Sequence, residues 1–480
     1  MIYSYAFAPY NFVILSYLSL FILFYVLIYS SRKESIKLTF TYGLFLYLFG
    51  VHWIFNSIYD FGGQHLFLSL LLTILFVVVL AITFLPIGFF INKSYSNLNL
   101  HRKIFIGSSV WVFSEWIRAN LFGGFPWLLL GHSQINTYLK PLYPLLGNYL
   151  VGFIVVLFIL YVIFFFTNME NMKKSAFAIF LLIISIIAIN NFDNKWTSHS
   201  NDPIKFSIIQ PNIKQEIKFN DNDVSVIRKK YLSMTLEKKH KDIIIWPETA
   251  LPSLYHENKK FFRETIELVG PQTSILSGVF RYDESSSKIF NSVILINTNE
   301  QFYDKRHLVP FGEYVPFPFI FKFFSDIFSI PMSNLSEGKE MQSTLTLGNN
   351  NIYPLICYEI TFPSLINIDK NNGGLIVNFS NDAWFGNSSA PSQHLQIAQI
   401  RALETQRYIL RSANTGISAI IDPYGNILNK IDFGVEGTLD DIVFVSKGKT
   451  PFMDFGDYPI LMLVFIFMFL TFNTKSQENG

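Results

Sequence analysis

Five stretches, at about residues 10–29, 38–59, 65–91, 141–167 and 175–192, run for the length of a membrane span without one Asp, Glu, Lys or Arg. A crossing of the hydrocarbon core needs about 20 apolar residues. A sixth apolar stretch, 104–120, is interrupted by Glu115 and Arg118, and a last one, 458–472, is short and follows Asp457. Between about 194 and 457 charges return and apolar runs shrink to four to six residues. This pattern predicts a polytopic helical membrane bundle over 1–193, an inserted domain over 194–457 and a final transmembrane helix with a short tail over 458–480. The first apolar run is too long for a cleaved signal peptide, lacks a basic start and is followed by further spans.

Loop charge predicts orientation. Lys and Arg gather at 31–37, 92–103 and 173–174, whereas 51–64 has none and 120–140 only Lys140. The positive-inside rule makes the basic set cytoplasmic and puts the N-terminus and the 194–457 domain outside, with Lys475 in the cytoplasm. Net charge is +2, from 37 basic and 35 acidic residues, so no nucleic-acid partner is expected. Cys357 is the single cysteine, which excludes an intramolecular disulfide and any thiolate-rich zinc or iron–sulfur site. No HExxH pattern or Gly-rich phosphate loop is present, so neither metal nor cofactor is expected.

Within 194–457, short β-like runs at 204–210, 242–246, 274–278, 292–296, 353–357 and 374–378 alternate with helical stretches at 221–240 and 394–407. A hairpin follows at 418–422, with its turn over 423–426. The alternation predicts an α/β layered domain, which places chemistry at the carboxyl ends of buried strands. Three polar residues sit just there. Glu248 follows Ile-Ile-Ile-Trp-Pro, Lys305 lies in a charged segment, and Cys357 ends Pro-Leu-Ile-Cys. Taken singly, each has an ordinary reading: a loop carboxylate, a solvated lysine, a small buried thiol.

The local sequences carry more. Trp246-Pro-Glu-Thr-Ala250, Tyr303-Asp-Lys-Arg-His-Leu-Val-Pro-Phe-Gly-Glu-Tyr-Val-Pro316, Ile356-Cys-Tyr-Glu359 and Ser380-Asn-Asp-Ala-Trp-Phe-Gly386 occur in that order. Phe7-Ala-Pro9, Phe61-Gly-Gly63, Glu115-Trp-Ile-Arg118, Gly124-Phe-Pro-Trp127, Gln393-His-Leu-Gln396 and Arg401-Ala-Leu-Glu404 accompany them. Together they resemble the apolipoprotein N-acyltransferases, a membrane-anchored branch of the nitrilase superfamily, over nearly the whole chain.

The resemblance implies an α/β/β/α sandwich with a Glu248–Lys305–Cys357 triad. It implies support from Glu313, Tyr358 and Glu359, with the Tyr358 backbone N–H as an oxyanion donor. Phe219, Trp384, Phe385 and Trp127 become candidates for substrate contact, and the Phe-rich stretch 317–324 a candidate shield for a thioester. The implied reaction is ping-pong. Cys357 takes an acyl group from a phospholipid, phosphatidylethanolamine by analogy, and passes it to the N-terminal amine of an S-diacylglyceryl-cysteine on an apolipoprotein. A monomer in the bacterial inner membrane, with its catalytic domain on the periplasmic face, is expected. Glu115 and Arg118, three apart on one helix, read either as a local ion pair or as residues that handle substrate.

The chain departs from the family pattern in three places. Relatives carry a helix before the Phe-Ala-Pro segment, Phe219 stands where they often have Trp, and the last span is short. A membrane-anchored nitrilase-type amidase is the competing enzymatic reading; the outer-loop motif Gly124-Phe-Pro-Trp127 favours transfer. A transporter or receptor would line its pathway with intramembrane charge, which the uncharged spans lack.

Overall fold

A computed structural model describes residues 2–93, 98–192, 194–218, 223–315, 334–366, 368 and 373–477. They form two compact units: Met1–His52 with Phe67–Lys195 and Thr450–Gly480, and Trp53–Leu66 with Trp196–Lys449.

The first unit is helical. Among the described residues three helices are long and apolar enough to cross a membrane: Leu66–Phe90, Lys140–Thr167 and Met169–Asn191. Helices Ile14–Tyr29 and Tyr458–Phe469 are apolar but shorter. Helix Arg32–Gly50 starts on a capping box. Ser31 N–H donates to Glu34 Oε2 at 2.8 Å, and the Ser31 hydroxyl accepts from Glu34 N–H, so two orphan donors of the first turn are satisfied reciprocally.

The span expected at 38–59 is not one helix. It bends by 62° between Arg32–Gly50 and Ile54–Phe61, and Trp53–Leu66 groups with the second unit. Polar groups explain the break, because they find partners in that unit where lipid would offer none. Trp53 Nε1 donates to Gln393 Oε1 at 3.1 Å, Asn56 Nδ2 to the Phe385 carbonyl at 3.0 Å, and Ser57 Oγ to the Trp384 carbonyl at 2.9 Å.

Helix Leu100–Asn120 buries both Glu115 and Arg118. Glu115 Oε1 accepts from Leu130 N–H at 2.7 Å, and Arg118 Nη2 donates to the Trp127 carbonyl at 3.3 Å. The two side chains are 4.0 Å apart. The pair therefore fastens the 127–130 loop to its helix, which is the structural one of the two readings.

The second unit is an α/β/β/α sandwich. Its strands are β1 (Thr197–Gln210), β2 (Ile243–Ile245), β3 (Ser274–Asp283), β4 (Lys288–Ile296), β5 (Glu300–Asp304), β6 (Leu345–Leu347), β7 (Asn350–Ile356), β8 (Leu375–Ser380), β9 (Ile409–Ala413), β10 (Ser418–Ile421), β11 (Ile427–Ile431) and β12 (Gly437–Gly448). Two six-stranded sheets run β12-β1-β2-β3-β4-β5 and β11-β10-β9-β8-β7-β6. Alternation along the strands assigns the layers. Ile243, Ile245 and Leu276 meet Ile356, Val377 and Leu410 in the core between the sheets. Ile244 and Ile275 face outward under Tyr231 and Phe262 of helices Val224–Leu236 and Tyr255–Val269. A strand covered on both faces needs an unbroken apolar run, which is why Ile-Ile-Ile occurs here.

The 394–407 helix runs Ala390–Thr405, with a proline in its first turn. Strands β5, β6, β9 and β12 have no counterpart in the sequence reading, and β3 extends past residue 278 into a hairpin with β4.

Candidate active site

Four strands of the two sheets end at one set of polar residues. Glu248 lies beyond β2, Lys305 directly follows β5, Cys357 directly follows β7, and Ser380 closes β8. The strand carrying Glu248 is set by its neighbour β3. A Cβ at Gly278 would come within 2.5 Å of Thr249 N and 2.6 Å of Glu248 Cα, so a glycine is required for the chain after β2 to pass this closely. Pro247 C=O accepts from Gly278 N–H at 3.2 Å, and Ala250 N–H donates to Gly278 C=O at 3.0 Å.

Glu248, Lys305 and Glu313 form a buried charge cluster. Lys305 Nζ donates to Glu313 Oε1 at 2.9 Å and lies 2.8 Å from its Oε2. Glu248 Oε1 is 3.8 Å from the same ammonium. Asn291, on β4, separates the carboxylates: its Nδ2 donates to Glu248 Oε1 and to Glu313 Oε1, each at 2.9 Å. Val309 N–H donates to Glu313 Oε2 at 2.8 Å. Burial works against the Lys305 ammonium, but Glu313 and Glu248 outweigh it and hold its pKa above the usual lysine value. Burial pushes the Glu248 carboxyl up against the pull of Lys305, and Glu313 adds to the rise.

Lys218 is a second buried cation, absent from the candidates named from sequence. Its Nζ donates to the Glu248 carbonyl at 3.1 Å. Burial, opposed by Glu248, lowers its pKa to about 8. Phe219, next in the chain, lies outside the described residues, as does 317–324.

Cys357 opens a tight turn with φ of +51°, a left-handed backbone uncommon for non-glycine residues. Burial raises the thiol pKa. Glu248 adds to the rise and Lys305 opposes it. Glu248 and Lys305 thus act on the thiol in opposite directions.

Glu359 does not reach into this cluster. Its Oε1 accepts from Tyr303 O–H at 3.0 Å, Arg306 N–H at 2.7 Å and His307 N–H at 3.3 Å, while Oε2 accepts from Ile356 N–H at 2.7 Å. One carboxylate thus ties the backbone after Lys305 to the backbone before Cys357. Tyr358 is buried, with its ring edge-on to Phe362 at 5.1 Å.

Trp384 and Phe385 sit in a short helix beyond β8. The Trp384 ring meets Phe61 at 5.4 Å, and Phe385 meets Trp53 at 4.7 Å. Trp127 belongs to the helical unit, where it is buried and stacked with Phe125 at 5.6 Å. No group of three His, Cys, Asp or Glu arranged to hold a metal occurs among the described residues.

Comparison with known proteins agrees with this architecture. Residues 1–161 match the apolipoprotein N-acyltransferase N-terminal domain, and residues 206–443 match the carbon-nitrogen hydrolase family. A Coxiella burnetii protein named apolipoprotein N-acyltransferase is 35% identical over 473 residues, 97% of this chain and 97% of that protein. One of the same name from Methylococcus capsulatus is 33% identical over 461 residues, 96% of this chain and 91% of that protein. With both halves matched and such relatives aligned almost end to end, the chain belongs to the apolipoprotein N-acyltransferase family.

Proposed function

We propose that this membrane-associated enzyme, which N-acylates apolipoproteins, works by ping-pong through a thioester on Cys357. The observation that carries the mechanism is the buried cluster at the strand ends, where the Lys305 ammonium lies 3.8 Å from Glu248 and 2.8 Å from Glu313, and Cys357 directly follows β7. In the first half-reaction Glu248 takes the thiol proton as sulfur adds to an ester carbonyl of the donor lipid. The oxyanion forms beside the Lys305 ammonium and the Tyr358 backbone N–H. Collapse breaks the acyl C–O bond, and Glu248 returns the proton to the departing lysophospholipid oxygen. In the second half-reaction the acceptor amine adds to the thioester carbonyl and loses a proton to Glu248. The C–S bond then breaks, and the sulfur leaves with that proton.

Glu313 holds the Lys305 ammonium in place, and Glu359 fixes the spacing of the two chain segments that carry Lys305 and Cys357. Trp384, Phe385, Phe219 and Trp127 each remain proposed substrate contacts, and 317–324 is the proposed shield of the thioester against water. The donor is phosphatidylethanolamine, the acceptor a diacylglyceryl apolipoprotein, and the enzyme a monomer in the inner membrane with its catalytic unit on the periplasmic face. Along the sequence we assign a bundle over 1–193, a catalytic domain over 194–457 and a terminal helix over 458–480, with residues 53–66 grouping with the catalytic unit and 450–457 with the helical one.

The test is a two-substrate assay with purified enzyme, phosphatidylethanolamine vesicles and a diacylated lipopeptide. Equal molar amounts of N-acylated peptide and lysophospholipid are expected. Release of free fatty acid without peptide acylation would instead indicate a hydrolase.

A further inference from the structure

Behind the nucleophile lies a second buried polar group that the mechanism above does not use. Asp382, His394, Arg411 and Ser380 are all shielded from solvent. Arg411 Nη2 bonds Asp382 Oδ2 at 2.5 Å, and its guanidinium also reaches Asn378 Oδ1 and, through Nε at 3.2 Å, the Ile417 carbonyl. Asp382 Oδ1 accepts from Ser380 Oγ at 2.7 Å and lies 3.0 Å from His394 Nδ1. The group touches Cys357 at two atoms. His394 Nε2 is 3.1 Å from the Cys357 carbonyl oxygen, and Ser380 Oγ is 3.8 Å from Sγ.

A carbonyl oxygen can only accept, so Nε2 carries a proton. Nδ1 is within hydrogen-bond reach of both Asp382 Oδ1, at 3.0 Å, and Arg411 Nη2, at 3.1 Å, so the ring bridges the Asp382–Arg411 pair and the Cys357 carbonyl. Burial and Arg411 lower the imidazole pKa, and Asp382 and the Cys357 carbonyl oppose them. The carbonyl that His394 holds belongs to a residue at φ +51°, a conformation that persists only where its surroundings fix it.

We infer that Asp382 is the hub of a positioning network, acting through His394 on the Cys357 carbonyl and through Ser380 beside the sulfur, that holds the nucleophile in its left-handed turn. His394 is then a positioning residue and not a proton carrier. The inference rests on Cys357 being the nucleophile.

Two polar substitutions separate the roles. In His394→Gln the side-chain amide takes the place of Nε2 and still donates to the Cys357 carbonyl. In His394→Asn the amide reaches only the Nδ1 position, so Asp382 keeps a partner and the carbonyl loses its donor. The full-length enzyme in detergent is loaded with a fluorescent phospholipid, and the single-turnover rate of acyl-enzyme formation is followed against lipid concentration and pH. His394→Gln is expected within about tenfold of wild type, with an unchanged pH profile. His394→Asn is expected to lose about a hundredfold or more in the limiting rate, at unchanged half-saturating lipid.

Equal rates for His394→Asn and wild type would overturn the inference. So would a His394→Gln enzyme that is equally impaired and has lost a limb of its pH profile, because His394 would then move protons. Asp382→Asn is the second variant should His394→Asn not fold. A drop of at least about tenfold in its limiting rate supports the network, and an unchanged rate overturns it. If wild type forms no acyl-enzyme at all, the thioester mechanism fails first.

Discussion

Glu313→Gln tests the electrostatics of the cluster. Glu248 and Glu313 each accept one proton of the Asn291 amide at 2.9 Å. Amide protons spread by roughly 120°, so the two carboxylate oxygens stand about 5 Å apart. At an effective dielectric constant of about 20, like charges at that distance repel by roughly 3 kcal/mol. Removing the Glu313 charge removes that repulsion and favours the ionised form of Glu248. Glu248 must be ionised to take the thiol proton, so activity rises with pH as it loses its own. Its acid limb therefore moves to lower pH in Glu313→Gln, by about one to two pH units once relaxation of Lys305 is allowed for. The plateau falls at the same time, by about tenfold to a hundredfold, because a neutral amide anchors the Lys305 ammonium less firmly and leaves Val309 N–H facing a donor or a weaker acceptor. The assay is single-turnover acylation of the enzyme by fluorescent phospholipid across the acid limb. An acid limb that stays in place or moves to higher pH refutes the reasoning.

Lys218→Met should do the reverse: with its buried cation gone, Glu248 holds its proton to higher pH and the acid limb rises in the same assay. Glu359→Gln leaves at least one of the donors on Ile356, Arg306, His307 and Tyr303 facing an NH2 group. An unsatisfied buried donor costs about 1–3 kcal/mol, so a lowered unfolding temperature by calorimetry should accompany slower acylation; a variant as stable and active as wild type contradicts the clamp. Trp53→Phe keeps the ring contact with Phe385 but loses the bond to Gln393, at a cost of about 1 kcal/mol. Amide exchange across 382–386 is expected to speed up, and unchanged protection would show that the indole N–H holds nothing there.

The parts of this molecule that the sequence made legible are those whose signal is local. Uncharged runs marked the long helices, and Ile-Ile-Ile before Trp246 marked β2, because a doubly covered strand must be apolar throughout. Strand β9 escaped, since its Arg411 looks like surface until Asp382 is seen beside it at 2.5 Å. Strand β12 escaped because Asp440 and Asp441 interrupt its pattern at an edge position. The break after Gly50 was hidden for a different reason: Trp53, Asn56 and Ser57 suit an interface as well as a span, and only their partners on residues 384–393 decide between them. At the site, Glu248, Lys305, Glu313 and Cys357 stood in recognisable motifs. Lys218 and Asn291 did not stand out singly, because a lysine in a polar helix and an asparagine in a strand carry no signal until the fold brings Lys218 to the Glu248 carbonyl and Asn291 between two carboxylates. Glu359 was legible as a position but not as a role, which its four bonds to backbone and Tyr303 supply.

The central claim is that Cys357 carries the acyl group as a thioester. Intact-protein mass spectrometry after incubation with phosphatidylethanolamine of defined chain length tests it directly. The account predicts one added acyl mass on wild type, removed by hydroxylamine and by addition of lipopeptide acceptor, and none on Cys357→Ala. An acyl adduct that persists in Cys357→Ala, or peptide acylation by that variant, would contradict it.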